Sequence, residues 1–278
     1  KRHAVPRLFQ VPGPLHLEHF VPRALELRSA GPADSWIGSC RYTCDLYRRL
    51  GVNGDRLFLS YPGMDVESFA SVPSKVLREL PGVSSDARIV GMVAYMYPPR
   101  RWLGQNRGIK GHEDLIDAMT SCCKRRDDIQ AVVVGGAWQG ASRHENRIRA
   151  YGRKRLGDRV VFLGDRDDVP DLYAGMEVAV HPSHSENFGG AVESLLLGVP
   201  TIATNVGGFP ELVIPGKTGW LVPPRNPAAL AEAILDALEH PDRGREMAAE
   251  GSRMAREMFD VRRTAREVVE IYEKVLSR

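Results

Sequence analysis

No run of this 278-residue chain approaches the about 20 apolar residues that a bilayer-spanning helix needs. Cysteine is sparse: Cys40, Cys44, Cys122 and Cys123 fit neither a metal-ligand pattern nor a disulfide framework, so free thiols in a reducing compartment are expected. Charge of one sign is not in excess. A net charge of +3 is too small to argue for nucleic acid. The opening residues, from Lys1, read as mid-domain and not as a secretory leader, so a missing N-terminal segment is expected. What remains is an ordinary globular composition, 43% hydrophobic and 26% charged, with room for one large domain or two. A cytoplasmic protein is expected. Peripheral contact with the inner face of the membrane, through the N-terminal part, is left open.

One stretch organises the chain: His181-Pro-Ser-His-Ser-Glu-Asn-Phe-Gly-Gly-Ala-Val-Glu193. It follows the buried-strand pattern Val178–Val180 and leads into a helix over 191–197. A polar, glycine-containing loop between strand end and helix start is where open α/β sheets bind ligands. The helix start offers free N–H groups suited to an anion. Glu186 and Glu193 flank that spot and can accept hydrogen bonds from sugar or ribose hydroxyls. The alternative for Glu193 is an ordinary first-turn glutamate favoured by the helix dipole.

The same alternation runs through the chain. Strands are expected over 7–11, 35–38 and 56–60, with helices over 19–28 and 41–50, the latter stopped by Gly51. These make half of a doubly wound unit, over 1–62. Residues 63–86 carry turn residues without periodicity and read as a linker. Strands then recur at 89–94, 129–135, 160–163, 177–180, 201–204 and 219–222, separated by helices. Asn226-Pro-Ala-Ala-Leu opens one helix with Asn as its cap. Residues 87–258 therefore read as a complete doubly wound α/β domain and 259–278 as an extra helix.

Glu186-Asn-Phe-Gly, Glu193, Gly198-Val-Pro-Thr-Ile-Ala-Thr-Asn-Val-Gly-Gly-Phe-Pro-Glu211 and Gly219-Trp-Leu-Val-Pro-Pro, in this order and spacing, resemble the C-terminal domain of retaining glycosyltransferases of family four. Trp36–Cys40, Leu59–Asp65 and the segment ending in Lys110-Gly111 also match. The resemblance covers most of 30–278. More loosely, Phe9–Glu18 is similar to capsule and exopolysaccharide members. The resemblance implies the GT-B fold, two Rossmann-like domains across a cleft, with the last helix crossing back to the first domain. The family usually places seven residues between its two glutamates. Here six lie between Glu186 and Glu193, and Gly189-Gly190 are expected to absorb the shortening.

The resemblance implies a nucleoside diphosphate sugar, with uridine preferred, as donor substrate and no other cofactor. A saccharide or lipid-linked hydroxyl is the implied acceptor. Lys110 matches the family's phosphate-binding lysine. Its arginine partner is ambiguous, because the loop Tyr97–Arg107 is enlarged and Arg100, Arg101 and Arg107 compete. Catalytic roles are expected for Glu186, Lys110 and His16, the last reaching the sugar across the cleft. Donor contacts are expected from Glu193, Asn187, Arg166 and Asp167, and from the backbone N–H groups of Phe188, Gly189 and Gly190. His181 reads as structural, and His184 as a residue that could line the cleft. Asp165-Arg-Asp167 looks like a metal-binding pair but is discounted, since the GT-B arrangement uses cations and helix dipoles. Transfer with retention, by front-face displacement, is what the family implies. Two rivals stand beside it: a GT-B epimerase of UDP-sugars, and a nucleotide-sugar-binding module without catalysis.

Overall fold

Parallel strands in two sheets organise the computed structural model, which describes residues 5–69, 73–101 and 104–277. Residues 70–72 of the expected linker, and Trp102 and Leu103 of the enlarged loop, lie outside the described residues. The first sheet holds β1 (Leu8–Val11), β2 (Ser35–Gly38) and β3 (Leu57–Leu59), in that order. The second contains β4 (Arg88–Val93), β5 (Ile129–Val134), β6 (Val160–Gly164), β7 (Val178–His181), β8 (Thr201–Thr204) and β9 (Trp220–Val222). Their order across the sheet is β6-β5-β4-β7-β8-β9, all parallel.

The sequence explains why the second sheet is covered on both faces. Strand side chains alternate in direction. Val90, Met92, Ala131 and Val133 join Leu115 and Ile234 in one buried cluster. Their neighbours Ile89, Val132 and Val134 join Leu77, Leu172 and Tyr173 in another. Continuous apolar runs such as Ile-Gln-Ala-Val-Val-Val are what a parallel strand with helices on both sides requires. Helix Pro227–Glu239, which supplies Ile234, is capped as expected: Asn226 Oδ1 accepts from Ala229 N at 3.0 Å.

Strand order reverses between β4 and β7. The first strand of the sheet pairs with its successor β5 on one side and with β7 on the other. The loops leaving the C-terminal ends of β4 and β7 therefore diverge and leave a crevice between them. That crevice receives Lys110 from one loop and Glu186 from the other.

The two sheets are tied by more than a flexible connection. Segment 63–86, read as a linker, contains a short 3₁₀ turn over Val66–Ser68 and a helical turn over Val76–Glu79, with Val66 and Leu77 buried. Arg256 holds it in place by donating to the carbonyls of Val66 (2.8 Å) and Phe69 (2.7 Å). Beside it, Met64 N donates to Phe259 O (2.7 Å) and Val261 N to Met64 O (2.9 Å), so both crossings between the sheets run side by side. Helix Val261–Leu276 then packs Ile271 and Val275 on Ile37, against Leu8 and Phe58 of the first sheet. Among the described residues, no helix is long and apolar enough to cross a membrane.

Candidate active site

Two cavities meet at Lys110. The first, about 520 Å³, is lined by Tyr95, Gly135, Arg166, Gly189, Gly190 and Glu193, among others. The second, about 890 Å³, is lined by His16, Arg100, Arg101, Trp138, Glu186 and Asn187, among others. Both sizes suit a small-molecule site. Tyr97 and Lys110 line both. The second cavity spans the two sheets, since Pro12 to His19 come from the loop after β1.

Lys110 Nζ forms an ion pair with Glu186 Oε2 and lies 5.6 Å from the centre of the Tyr97 ring. Both side chains are largely buried, 20% and 12% exposed. Glu186 also accepts from Ser183 Oγ (3.3 Å) and from Asn187 N (3.1 Å). Glu193 is different. It faces the first cavity, has no salt bridge among the described residues, and burial pushes its carboxyl pKa above the usual glutamate range. A carboxylate held without a cation at the edge of a cavity is suited to accept hydrogen bonds from a ligand's hydroxyls.

The loop between the glutamates turns at Gly189. Gly189 has φ +44° and ψ −145°, and a Cβ there would meet the Glu186 carboxyl at 2.9 Å. Gly190 begins the helix Gly190–Leu196. Among the described residues, the N–H groups of Phe188, Gly189 and Gly190 donate to no protein acceptor. The Phe188 side chain points inward, packed on Phe259 (4.9 Å) and Tyr61 (5.8 Å), so only its backbone is at the surface of the site.

From behind, the loop rests on Gly207 and Gly208. Gly208 N donates to Asn187 O (3.0 Å), and a Cβ on Gly207 (φ +53°) would fall 1.6 Å from Glu186 O. Gly207→Ala is therefore expected to displace the Glu186 loop and to weaken by more than tenfold the binding of ligands held by that loop, the implied nucleotide among them. Calorimetric titration with UDP checks this, with circular dichroism to establish that the variant is folded. Unchanged affinity would show that the loop backbone is not part of the site.

His16 lines the second cavity, with Nε2 2.9 Å from Glu26 Oε2 and 3.3 Å from the Tyr47 hydroxyl. Arg101 and Arg100 line it too, with no carboxylate partner among the described residues. Three expectations are corrected. Arg107 does not line either cavity; it is bound to Asp114 and, at 2.7 Å, to Asp117. His184 is buried against Asp114. Asp167 is exposed outside both linings, whereas Asp165 lines the first cavity and accepts from Gly136 N at 2.7 Å. Arg166 does line the first cavity, with its guanidinium held by Asp168. His181 is structural: it is buried, lies 3.0 Å from Ser194 Oγ, and burial pushes its pKa down to about 3.

Two contributors, and the partners of a third, escaped the sequence reading. Tyr97 and Trp138 stack at 4.7 Å to form a wall of the second cavity. Their positions just past β4 and β5 were the available signal. Glu211 accepts from Arg41 N (2.8 Å) and the Tyr61 hydroxyl (2.8 Å), latching the helix Arg41–Arg49 to the turn that supports the Glu186 loop. Nothing in local sequence points to a contact 170 residues away.

A family model described as glycosyl transferases group 1 matches residues 103–255, more than half of the chain. The chain is 31% identical over 179 residues to the lipopolysaccharide core biosynthesis mannosyltransferase LpsB of Rhizobium meliloti, covering 62% of this chain and 50% of that protein. It is 29% identical over 257 residues to a D-inositol 3-phosphate glycosyltransferase of Xylanimonas cellulosilytica, covering 88% and 58%. The chain spans about half the length of the curated relatives it matches. Among solved structures, Anabaena Alr3699/HepE in complex with UDP-glucose superposes with a TM-score of 0.83 at 26% identity, covering 96% of this chain and 72% of that one.

Proposed function

Because the chain belongs to the glycosyl transferases group 1 family and has the GT-B type of α/β architecture, we propose that it binds a UDP-sugar and transfers the sugar to an acceptor hydroxyl with retention of configuration. The observation that carries this reading is the division of the crevice at Lys110: an unpaired glutamate on one side, a lysine-paired glutamate on the other. In this assignment the nucleoside fills the first cavity, with its ribose hydroxyls on Glu193. The diphosphate lies at Lys110 and the free N–H groups of Gly189 and Gly190. The sugar enters the second cavity toward Glu186, Asn187 and His16. Uridine is favoured by the UDP complexes of Anabaena HepE, and a role in polysaccharide or glycoconjugate synthesis by the lipopolysaccharide relative.

In the transfer, the bond from the anomeric carbon to the diphosphate oxygen breaks and that oxygen keeps the electron pair. The acceptor oxygen forms the new bond on the same face, and its proton passes to the leaving phosphate. Lys110 stabilises the charge that grows on the diphosphate. Glu186, released from Lys110 as the phosphate arrives, accepts hydrogen bonds from the sugar. No metal enters the proposal.

A panel of UDP-glucose, UDP-N-acetylglucosamine, UDP-glucuronate and GDP-mannose tests this by thermal protection and nucleotide release. A ligand that binds only the folded state raises the melting temperature. At least one UDP-sugar is expected to do so and to release UDP when acceptor is present. Isomerisation of the donor without transfer would instead favour an epimerase, and protection by none would reject the donor site.

A further inference from the structure

One carboxylate behind the second cavity gathers donors from three separate segments of the first sheet's unit. Glu26, on the helix Phe20–Ser29, lines neither cavity, yet it is bonded to a residue that does. Its Oε2 lies 2.9 Å from His16 Nε2. Its Oε1 accepts from the indole Nε1–H of Trp36 on β2 (2.9 Å) and from the hydroxyl of Tyr47 on the helix Arg41–Arg49. Trp36 and Tyr47 are both buried, so these two donors fix the carboxylate from behind. Burial alone would raise the Glu26 pKa, but the hydrogen bonds from His16, Tyr47 and Trp36 outweigh it and hold the carboxyl below the usual glutamate range. Glu26 is therefore ionised at neutral pH, and a carboxylate only accepts. In the neutral imidazole of His16 the proton facing Glu26 then has to sit on Nε2. The nitrogen left over is Nδ1, which meets no protein group among the described residues.

We propose that Glu26 is a positioning residue for sugar transfer: it holds His16 as the Nε2–H tautomer and leaves Nδ1 to the donor sugar as a hydrogen-bond acceptor. This rests on the reading of the second cavity as the place of the sugar. The tautomer of a histidine is set by the partner its ring already has. An unprotonated Nδ1 can take a hydroxyl proton and has nothing to offer a carbonyl oxygen, so Glu26 decides what His16 can read. An isosteric change exposes the arrangement. In Glu26→Gln the amide has one accepting end and one donating end. The Trp36 indole can only donate, so the glutamine carbonyl has to stay with Trp36 and Tyr47 while the NH₂ faces His16. Nε2 then becomes the acceptor, the proton moves to Nδ1, and the ring presents a donor where it presented an acceptor.

The test is nitrogen-15 NMR of the imidazole rings at about pH 9, above the ordinary imidazole range. His16→Gln assigns the His16 signals, and circular dichroism establishes that each variant is folded. The parent is expected to show His16 as the Nε2–H tautomer and Glu26→Gln to show it as the Nδ1–H tautomer, with UDP affinity by calorimetry within about threefold of the parent. Release of UDP from the UDP-sugars of the panel is the second readout. Glu26→Gln is expected to lower kcat/KM by about tenfold or more, because a sugar hydroxyl is left without its acceptor. In a His16→Gln background the same change is expected to cost less than about twofold further, since Glu26 acts through His16. A parent ring with its proton on Nδ1 would overturn the inference, and that measurement needs no variant. So would a Glu26→Gln chain that keeps the parent's tautomer, or one whose loss of kcat/KM is undiminished once His16 is gone. Absence of turnover with every sugar of the panel would count against the transfer reading, while the tautomers still decide whether Glu26 sets the ring.

Discussion

Lys110→Met is expected to lower sugar turnover by about a hundred- to a thousandfold, the loss typical of removing one preorganised group that stabilises developing transition-state charge. Among the described residues, Lys110 is the sole lysine or arginine that lines both cavities, and its ammonium lies over the Tyr97 ring. Methionine keeps most of the volume and removes the charge. UDP affinity should fall by about ten- to a hundredfold, matching a charged hydrogen bond of about 1.5–3 kcal/mol. The ion pair complicates the stability effect in a useful way. Removing the lysine leaves Glu186, 12% exposed, as an uncompensated carboxylate. Breaking a fully buried pair this way costs about 3–5 kcal/mol, and residual exposure places this one toward the lower end or below it. Adding Glu186→Gln should then restore much of the stability of Lys110→Met without restoring turnover. A double-mutant cycle on melting temperature and on rate separates the two effects. Full activity in Lys110→Met would remove the cation from the mechanism.

Glu193→Ala is expected to cost UDP about ten- to a hundredfold in affinity, because in the proposed assignment two ribose hydroxyls lose one charged acceptor. Glu186→Ala is expected to slow transfer while leaving UDP affinity nearly unchanged. Equal loss of nucleotide affinity in both would end that division of labour. Glu193 also carries a pH signature. Burial raises its pKa in the folded chain above the usual 4.5. The folded state therefore holds this proton more tightly than the unfolded chain does. Stability contributed here is lost as pH rises from about 4.5 through the raised value, and stays lost above it. Glu193→Gln escapes that cost. Its ligand-free melting temperature should exceed the parent's at neutral pH, and the difference should shrink as pH falls toward 4. A gap independent of pH would show that the carboxylate is not strained by burial. A more stable variant with weaker ligand binding is the pattern expected where function maintains an unfavourable group.

Much of the second sheet was legible because its physics is local. Buried parallel strands need short apolar runs, and Ile129–Val134 and Thr201–Thr204 match them with ends displaced by one residue or none. Asn226 and Gly51 punctuate helices for reasons contained in a few residues. The helical pieces inside the linker 63–86 were not legible because they last one turn, too short for periodicity. Its order comes from distant partners: Arg256, and Leu77 fitted against Gly175. At the site, motif spacing indicated which loops converge but not which way a side chain turns. Arg107 and His184 flank the crevice in sequence, yet both face Asp114, which the helix His112–Cys122 presents on its buried side. The pairing of Lys110 with Glu186 was likewise invisible, since it joins two loops 76 residues apart through the reversal of strand order.

The most direct test is a crystal structure of the chain with UDP bound. The uracil and ribose are predicted to occupy the first cavity with the ribose hydroxyls on Glu193. The diphosphate is predicted at Lys110, whose ammonium has parted from Glu186. UDP bound elsewhere, or bound there with the Lys110–Glu186 pair intact and the diphosphate turned away from it, would contradict the account.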